Sequence, residues 1–363
     1  MTSLKTAVIG NGPLTLSVAG QLASRGAAVT LIDPQSNSKT VQTLKASPVL
    51  HFTGEATYDA TIADATKDLS AAAAADLVVV SVPPSQRDSV FPELASYIRN
   101  GQHLLFFPAS FGAIVFSALL KGRQLKDITI SESVSYPYVC AMSDANTIFV
   151  QSIKQTLGLA VLPQTRQDEL LAMYNHYFDI YRLSTNCLET SLDNMNMTLH
   201  PLPVLMNLGA MDGDVTKFRH YIDGVTPHVA QLMEALDIER MALGEKLGVS
   251  LTSTLEQLMQ FYGRNNAAGI GEYVSDLNGP YPEVRGFGLN SRYVTEDVPF
   301  LLVAMEALGQ AAGIPTPVAT LTVDLASAVM GTDYRIYGYS LNKLGLTGSS
   351  AKEMMASMEQ ALA

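Results

Sequence analysis

The sequence predicts an α/β protein: an N-terminal Rossmann-type, doubly wound parallel sheet followed by a mainly α-helical C-terminal domain. Three observations carry this. Short, continuously apolar runs alternate with helical patterns from residue 6 to about residue 163, a glycine turn follows the first run, and long helical periodicities take over beyond about residue 182. Strands alternating with helices make βαβ units and hence a parallel sheet. Strands covered on both faces lose the apolar–polar alternation and read as unbroken apolar runs.

In chain order, the predicted strands are residues 6–9, 28–32, 77–82, 103–107 and 128–132, with helical patterns at 14–24 and 91–99 between them. The alanine run from Ala71 to Ala75 reads as the close of a helix before a strand. Farther on, helical patterns cover 225–247, 251–262, 295–312 and 318–330. Residues 263–290, rich in Gly, Asn and Pro, read as a long loop of the kind that often serves function. The expected division is 1–185 for the dinucleotide-binding domain and 186–363 for the helical substrate domain.

Composition narrows the functional classes. The 363 residues carry a formal net charge of -11, which repels phosphate backbones and acidic lipid, so neither nucleic acid nor a membrane surface is expected as a partner. No apolar run is long enough to span a bilayer. Two distant cysteines, Cys140 and Cys187, make neither a disulfide framework nor a CxxC site, and no HExxH-type spacing occurs, so no metal is expected. The first residues show no signal-peptide pattern, and the expected location is the cytoplasm.

The first functional segment is Thr6-Ala7-Val8-Ile9-Gly10-Asn11-Gly12-Pro13-Leu14-Thr15. Gly10 permits a tight turn, Gly12 lets the backbone approach a pyrophosphate, and the helix N-terminus behind them offers unpaired N–H groups. Pro13 suits the first helical turn, and Leu14 follows it into the helix. Thr15 stands where the usual fingerprint has its third glycine. Asp33, 23 residues after Gly10, falls where a carboxylate accepts from a ribose 2′-hydroxyl; the competing reading is an exposed turn residue before Pro34. An acid there favours NAD over NADP. Val82 and Pro83 follow the third predicted strand and should line the same crevice, with the Pro108–Gly112 turn beside them or serving as a plain connection.

Four stretches mark the second half. They are the run from Leu192 through Asp193, Asn194 and His200-Pro201 to Asn207, Tyr221–Pro227 leading to Asp237 and Arg240, Asn290-Ser291-Arg292-Tyr293-Val294-Thr295-Glu296-Asp297-Val298-Pro299, and Asn342-Lys343-Leu344-Gly345-Leu346. In this order behind a Rossmann half, they resemble the opine dehydrogenases, the octopine and nopaline dehydrogenase family, over nearly the whole chain. The resemblance implies NAD(P)H-dependent reductive condensation of an amino acid with a 2-oxo acid such as pyruvate, through an imine, to an N-(carboxyalkyl)amino acid. It also implies that His200 is the catalytic histidine, Asp297 its carboxylate partner, Arg292 the ligand of a substrate carboxylate, and Asn207 a further substrate contact. Ala141 departs from it, standing where an arginine is expected.

The chemistry is coherent on its own terms. Imine reduction needs an acid–base group that titrates near neutrality, for which histidine is suited, a carboxylate to fix its tautomer, and a cation with a planar fork for carboxylates. Blander readings stand beside these. His200 before Pro201 fits a helix start, and Thr295, Glu296 and Asp297 fit a helix N-terminus where Thr caps and acids meet the dipole. His220 and His228 flank a turn from which they could face a cleft, surface placement being the expectation, and the methionines from Met195 to Met211 read as core filler. The C-terminal apolar helices are either core or a homodimer face. Two other functions remain open: a 2-hydroxy-acid or ketopantoate-type reductase, and a dinucleotide-binding sensor without turnover, the latter motivated by Thr15 and Ala141.

Overall fold

The computed structural model describes residues 3–264, 267–286, 288–348 and 350–362. The chain forms two compact units, one running to Thr190 and the other Ser191–Ser357. Among the described residues, no helix is long and apolar enough to cross a membrane.

The first unit is built on strands β1 (Lys5–Gly10), β2 (Ala28–Ile32), β3 (Val49–Gly54), β4 (Tyr58–Thr61), β5 (Asp64–Thr66), β6 (Leu77–Ser81), β7 (His103–Phe106), β8 (Thr129–Ser133), β9 (Tyr138–Asp144), β10 (Thr147–Ile153), β11 (Leu157–Leu162) and β12 (Tyr181–Leu183). The main sheet has the order β12-β11-β8-β7-β6-β1-β2-β5 and is parallel except where β11 runs against β8. From β1 the chain winds out through β2 to β5, then returns to β6 on the other flank of β1. That reversal places a crevice outside the carboxyl ends of β1 and β6, where Gly10 and Ser81 are paired neighbours. The central strands are buried throughout, Val8, Val79 and Leu104 fully, as unbroken apolar runs between two helical layers require. The alanine run forms a 3₁₀ turn, Leu69–Ala74, before β6.

A second sheet, of order β4-β3-β10-β9, departs from the sequence expectation. Its strands are half exposed and interrupted by polar residues, so they lack the apolar signature of the main sheet. It lies on the helix Gly12–Ser24. There Tyr58 and Tyr138 donate to Gln21 Oε1 at 3.1 and 2.6 Å, and Gln21 Nε2 donates to the Tyr177 carbonyl at 2.7 Å. Gly20 leaves room for the Phe52 ring, which a Cβ would strike.

The second unit is helical. Its longest helix, Pro227–Leu247, opens with Pro227 in the first turn and closes on Gly248 in the left-handed region. Its buried stripe runs Val229, Met233, Leu236, Asp237, Arg240, Leu243, Leu247, a helical period with an Asp–Arg pair set into it. The predicted loop at 263–290 contains a helical turn, Ile270–Val274, and Arg285 bridges to Arg219; Asn265, Asn266 and Phe287 lie outside the described residues. The predicted helix at 295–312 is also different. A turn spans Arg292–Thr295, a π-helical turn Val298–Leu302 follows, and only then does Val303–Ala312 run as α-helix. Pro299 lacks the N–H that a regular helix needs there, and the wide turn absorbs the defect.

Candidate functional site

The glycine turn is shaped by sterics. Gly10 has a φ of +133° and passes so close to the Ser81 carbonyl that a Cβ would collide with it. Gly12 also has a positive φ, +80°, but among the described residues nothing beyond its own adjoining backbone lies within 4 Å of where its Cβ would stand. Gly10 is therefore fixed by the neighbouring strand, whereas Gly12 keeps its outer side open for a close-lying group. Pro13 sits in the first turn of the helix, followed by Leu14. Thr15 explains its own departure from the glycine fingerprint. Its hydroxyl donates to the Asn11 carbonyl at 2.7 Å and lies 2.7 Å from the Ser81 hydroxyl, which in turn lies 2.7 Å from that of Tyr136. Helix and strand are joined by hydroxyls instead of by close packing.

Asp33 is buried, not exposed, at 2% of its accessible surface. Its carboxylate accepts from the Asn11 amide, the Gln35 N–H and the Ser38 hydroxyl, the last at 2.6 Å. Ser38 then caps the next helix by accepting from the Val41 N–H. The carboxylate is thus oriented from three sides at the end of β2. Val82 and Pro83 lead into the helix Pro84–Tyr97. Buried Arg87 donates to the Val82 carbonyl at 3.3 Å and to the Ser110 carbonyl at 2.5 Å, tying the turns after β6 and β7 together.

In the second unit, His200 Nδ1 lies 2.7 Å from Asp297 Oδ2, and both side chains are buried. Since a carboxylate only accepts, Nδ1 carries the proton and Nε2 keeps the lone pair. His200 stands between the short helical turns Asn196–Leu199 and Pro201–Leu205. Its ring stacks on Tyr293, with centroids 3.7 Å apart and planes 12° from parallel. Burial lowers its pKa below the ordinary imidazole value, the bond and charge of Asp297 oppose that shift, and Arg292 adds to it. Burial thus favours the uncharged imidazole. Asp297 directly precedes the π-helical turn, a distortion that recurs at functional sites.

Arg292 is exposed, its guanidinium 5.7 Å from the Tyr293 ring centroid. Asn207 is occupied with the backbone: its amide donates to the Pro203 and Gly224 carbonyls at 2.7 and 3.0 Å. Its placement is that of a brace between His200's helical turn and the Gly224 turn. His228 is exposed, but His220 is not: it is fully buried beside Tyr293. Tyr293 and His220 are the neighbours of His200 that residue types alone did not single out. The aromatic pair His220-Tyr221 ahead of Gly224 is the one signal for the second.

The remaining residues of the motifs hold the scaffold. Arg240, wholly buried, pairs with Asp193 and Asp237 at 2.8 Å each and donates to the Leu192 and Thr252 carbonyls. Asp237 also accepts from the N–H and hydroxyl of Thr254. This buried network ties the segment leading to His200 to the long helix. Asn342 and Lys343 lie in the turn Leu341–Leu344, where Lys343 donates to the Tyr337 carbonyl. Among the described residues, no group of three or more His, Cys, Asp or Glu is placed to hold a metal ion.

Comparison with known proteins gives these features a context. Residues 183–330 match the family model described as NAD/NADP octopine/nopaline dehydrogenase, alpha-helical domain. The chain is 34% identical over 287 residues to an opine dehydrogenase from Arthrobacter sp. (strain 1C), covering 78% of this chain and 79% of that protein. Octopine dehydrogenase, solved with NADH and L-arginine, superimposes with a TM-score of 0.76 at 17% identity, covering 97% of this chain and 98% of that one. Yersinopine dehydrogenase with NADP+ bound does so with a TM-score of 0.71 at 18% identity, covering 99% of each. Those two likenesses show the fold.

Proposed function

The chain belongs to the octopine/nopaline family of opine dehydrogenases, and from that premise we propose that it is an NAD(P)H-dependent oxidoreductase acting on CH–NH groups, condensing an amino acid with a 2-oxo acid such as pyruvate. The carrying observation is the buried His200–Asp297 pair at 2.7 Å, with the Arg292 guanidinium near enough to depress the histidine's pKa.

The dinucleotide fits the first unit. Gly12 leaves its outer side clear for a pyrophosphate, the helix Gly12–Ser24 directs its N-terminus there, and Asp33 is oriented as an acceptor for ribose hydroxyls. An anionic Asp33 disfavours a 2′-phosphate, so NAD is the cofactor assigned; NADP+ is bound by the yersinopine enzyme. When bound, the reduced nicotinamide supplies the hydride that saturates the imine carbon.

The chain's own groups handle protons and charge. Neutral His200 takes a proton on Nε2 from the substrate ammonium, freeing the amine lone pair to attack the oxo carbon. The imidazolium so formed is stabilised by Asp297, which also prevents the ring from flipping. The same proton returns to the carbinolamine hydroxyl, which leaves as water when the C–N double bond forms. Arg292 holds a substrate carboxylate through its planar fork. The reverse oxidation uses the same groups in the opposite order. A cytoplasmic location accompanies this reading, as a reaction drawing on the NADH pool.

The test is NADH oxidation with pyruvate and a panel of single amino acids, each omitted in turn, beside a His200→Ala variant. The expected outcome is oxidation that needs both substrates and falls by about a thousandfold or more in the variant. Oxidation with the oxo acid alone overturns the reading in favour of a hydroxy-acid reductase. NADH binding without turnover on any substrate overturns it in favour of a sensor.

A further inference from the structure

A second imidazole lies beside His200. His220 is fully buried, and its ring meets Tyr293 edge-on at 4.8 Å, Tyr221 at 4.6 Å and His200 at 6.2 Å between centroids. Its Nε2 lies 3.3 Å from the carbonyl of Leu199, the residue before His200. Its Nδ1 is buried and, among the described residues, has no hydrogen-bond partner. A buried polar atom left without a partner costs stability, so such a group is retained for another reason.

The sequence supplies that reason. In a continuing helix, the Leu199 carbonyl would accept from the N–H four residues on, but that residue is Pro203, which has none. With Pro201 as well, the His-Pro-Leu-Pro stretch removes two backbone donors just after His200, whose own N–H still donates to the Asn196 carbonyl at 3.1 Å. His220 supplies a donor from another part of the chain. Its own backbone is anchored, the His220 N–H donating to the Val284 carbonyl at 2.8 Å. The same ring backs Tyr293, on whose face His200 is stacked. Two restraints on His200, its preceding carbonyl and its stacking partner, therefore converge on one side chain.

We infer that His220 is a positioning residue for the reaction, a neutral imidazole that replaces the helical donor missing at Pro203 and holds His200 in register with Asp297. The inference rests on the reading of His200 as the proton-handling group. Neutrality is enforced by the surroundings: burial first, then the neighbouring His200, push the His220 pKa down to about 3. The charged and titratable groups facing the pair are Asp297, Arg292 and Tyr293 around His200, and Tyr221 and Tyr293 around His220.

The test compares His220→Phe, which keeps a ring but loses the donor, with His220→Gln, whose amide N–H takes the place of Nε2–H. Kinetics, pH profiles and melting curves are measured on the full-length holoenzyme. His220→Phe should lower kcat by roughly 10- to 100-fold, with KM for NADH within about twofold of the parent, as expected when a reacting group is misplaced. The acid limb of its pH profile should also move up toward the ordinary imidazole value, because a loosened His200 is less desolvated. His220→Gln should restore kcat to within about threefold and return the acid limb to its original position. A His220→Phe protein that melts lower but keeps the parental kcat and pH limb overturns the inference, since that marks a purely structural residue. If His220→Phe does not fold, His220→Asn replaces it: the shorter amide falls short of the carbonyl, and equal activity in the Asn and Gln variants overturns the inference. His200→Ala runs alongside. Full activity there refutes the role of His200 itself, whereas an inactive His200→Ala beside a parental His220→Phe refutes only His220.

Discussion

In the first unit, Gly10 and Gly12 work through backbone, a carbonyl too close for a Cβ and an open face, and Asp33, 23 residues after Gly10, adds a single carboxylate at a strand end. In the second, His200 and Asp297 meet across 97 residues and work through side chains held by other side chains. A site made of backbone tolerates changes around it and fails abruptly at the residues that shape the turn. A site made of distant side chains fails by degrees, each support removing part of the geometry. The comparison also separates what each unit contributes, cofactor binding being expected of the first and proton handling of the second.

That contrast can be broken experimentally. The largest effect is expected for Asp297→Asn, which keeps the shape of the pair but permits the wrong tautomer; kcat should fall by about 10³- to 10⁴-fold with NADH binding intact. Asp297 raises the His200 pKa, so its removal should also move the acid limb of the residual activity to lower pH, the opposite sense to a loosened, resolvated histidine. Next, Arg240→Ala strands Asp193 and Asp237 in the core and should cost about 3–5 kcal/mol in denaturant unfolding. Gly10→Ala should weaken NADH binding about a hundredfold, read by fluorescence titration, while the parental affinity would show that the turn yields more than its geometry implies. The smallest effect is expected for Thr15→Ala, about 1 kcal/mol of stability from the lost hydroxyl bridge to Ser81. A Thr15→Gly variant more stable than the parent would show that close packing, not the bridge, is what this position favours.

Legibility followed the same divide. Strands β1, β2, β6, β7 and β8 could be read because burial on both faces leaves a continuous apolar run, and the glycine turn because its residues are neighbours in the chain. Strands β5, β11 and β12, toward the sheet's edges, were not among the predicted strands. The second sheet could not be read, since β3, β9 and β10 show water one face and carry polar residues on it. The π-helical turn was hidden because a periodicity written across residues 295–312 does not register one wide turn at Pro299. Asp297 looked like an ordinary helix-terminal acid, and only the resemblance of its surrounding motif pointed to His200. His220 sits among Arg219, Asp223 and a glycine turn, a polar-looking stretch whose burial comes from contacts far away in sequence. Asp33 was legible as an acid at a strand end, but not the three donors that hide it from solvent.

The four-stranded sheet has one more consequence, and it concerns synthesis of the chain. β3 pairs side by side with β10, His51 opposite Thr147, so the two central strands come from segments roughly a hundred residues apart, with β6, β7 and β8 lying between them in sequence. On the ribosome, β3 and β4 emerge as a hairpin whose open edge has no partner until residues up to Ile153 have followed. An isolated two-stranded hairpin is marginally stable, and its unpaired edge invites the wrong neighbour. The helix behind the glycine turn, which depends on this sheet for its bonds from Tyr58 and Tyr138 to Gln21, therefore reaches its final seating late. The most local part of the molecule in sequence is thus completed by one of its least local contacts.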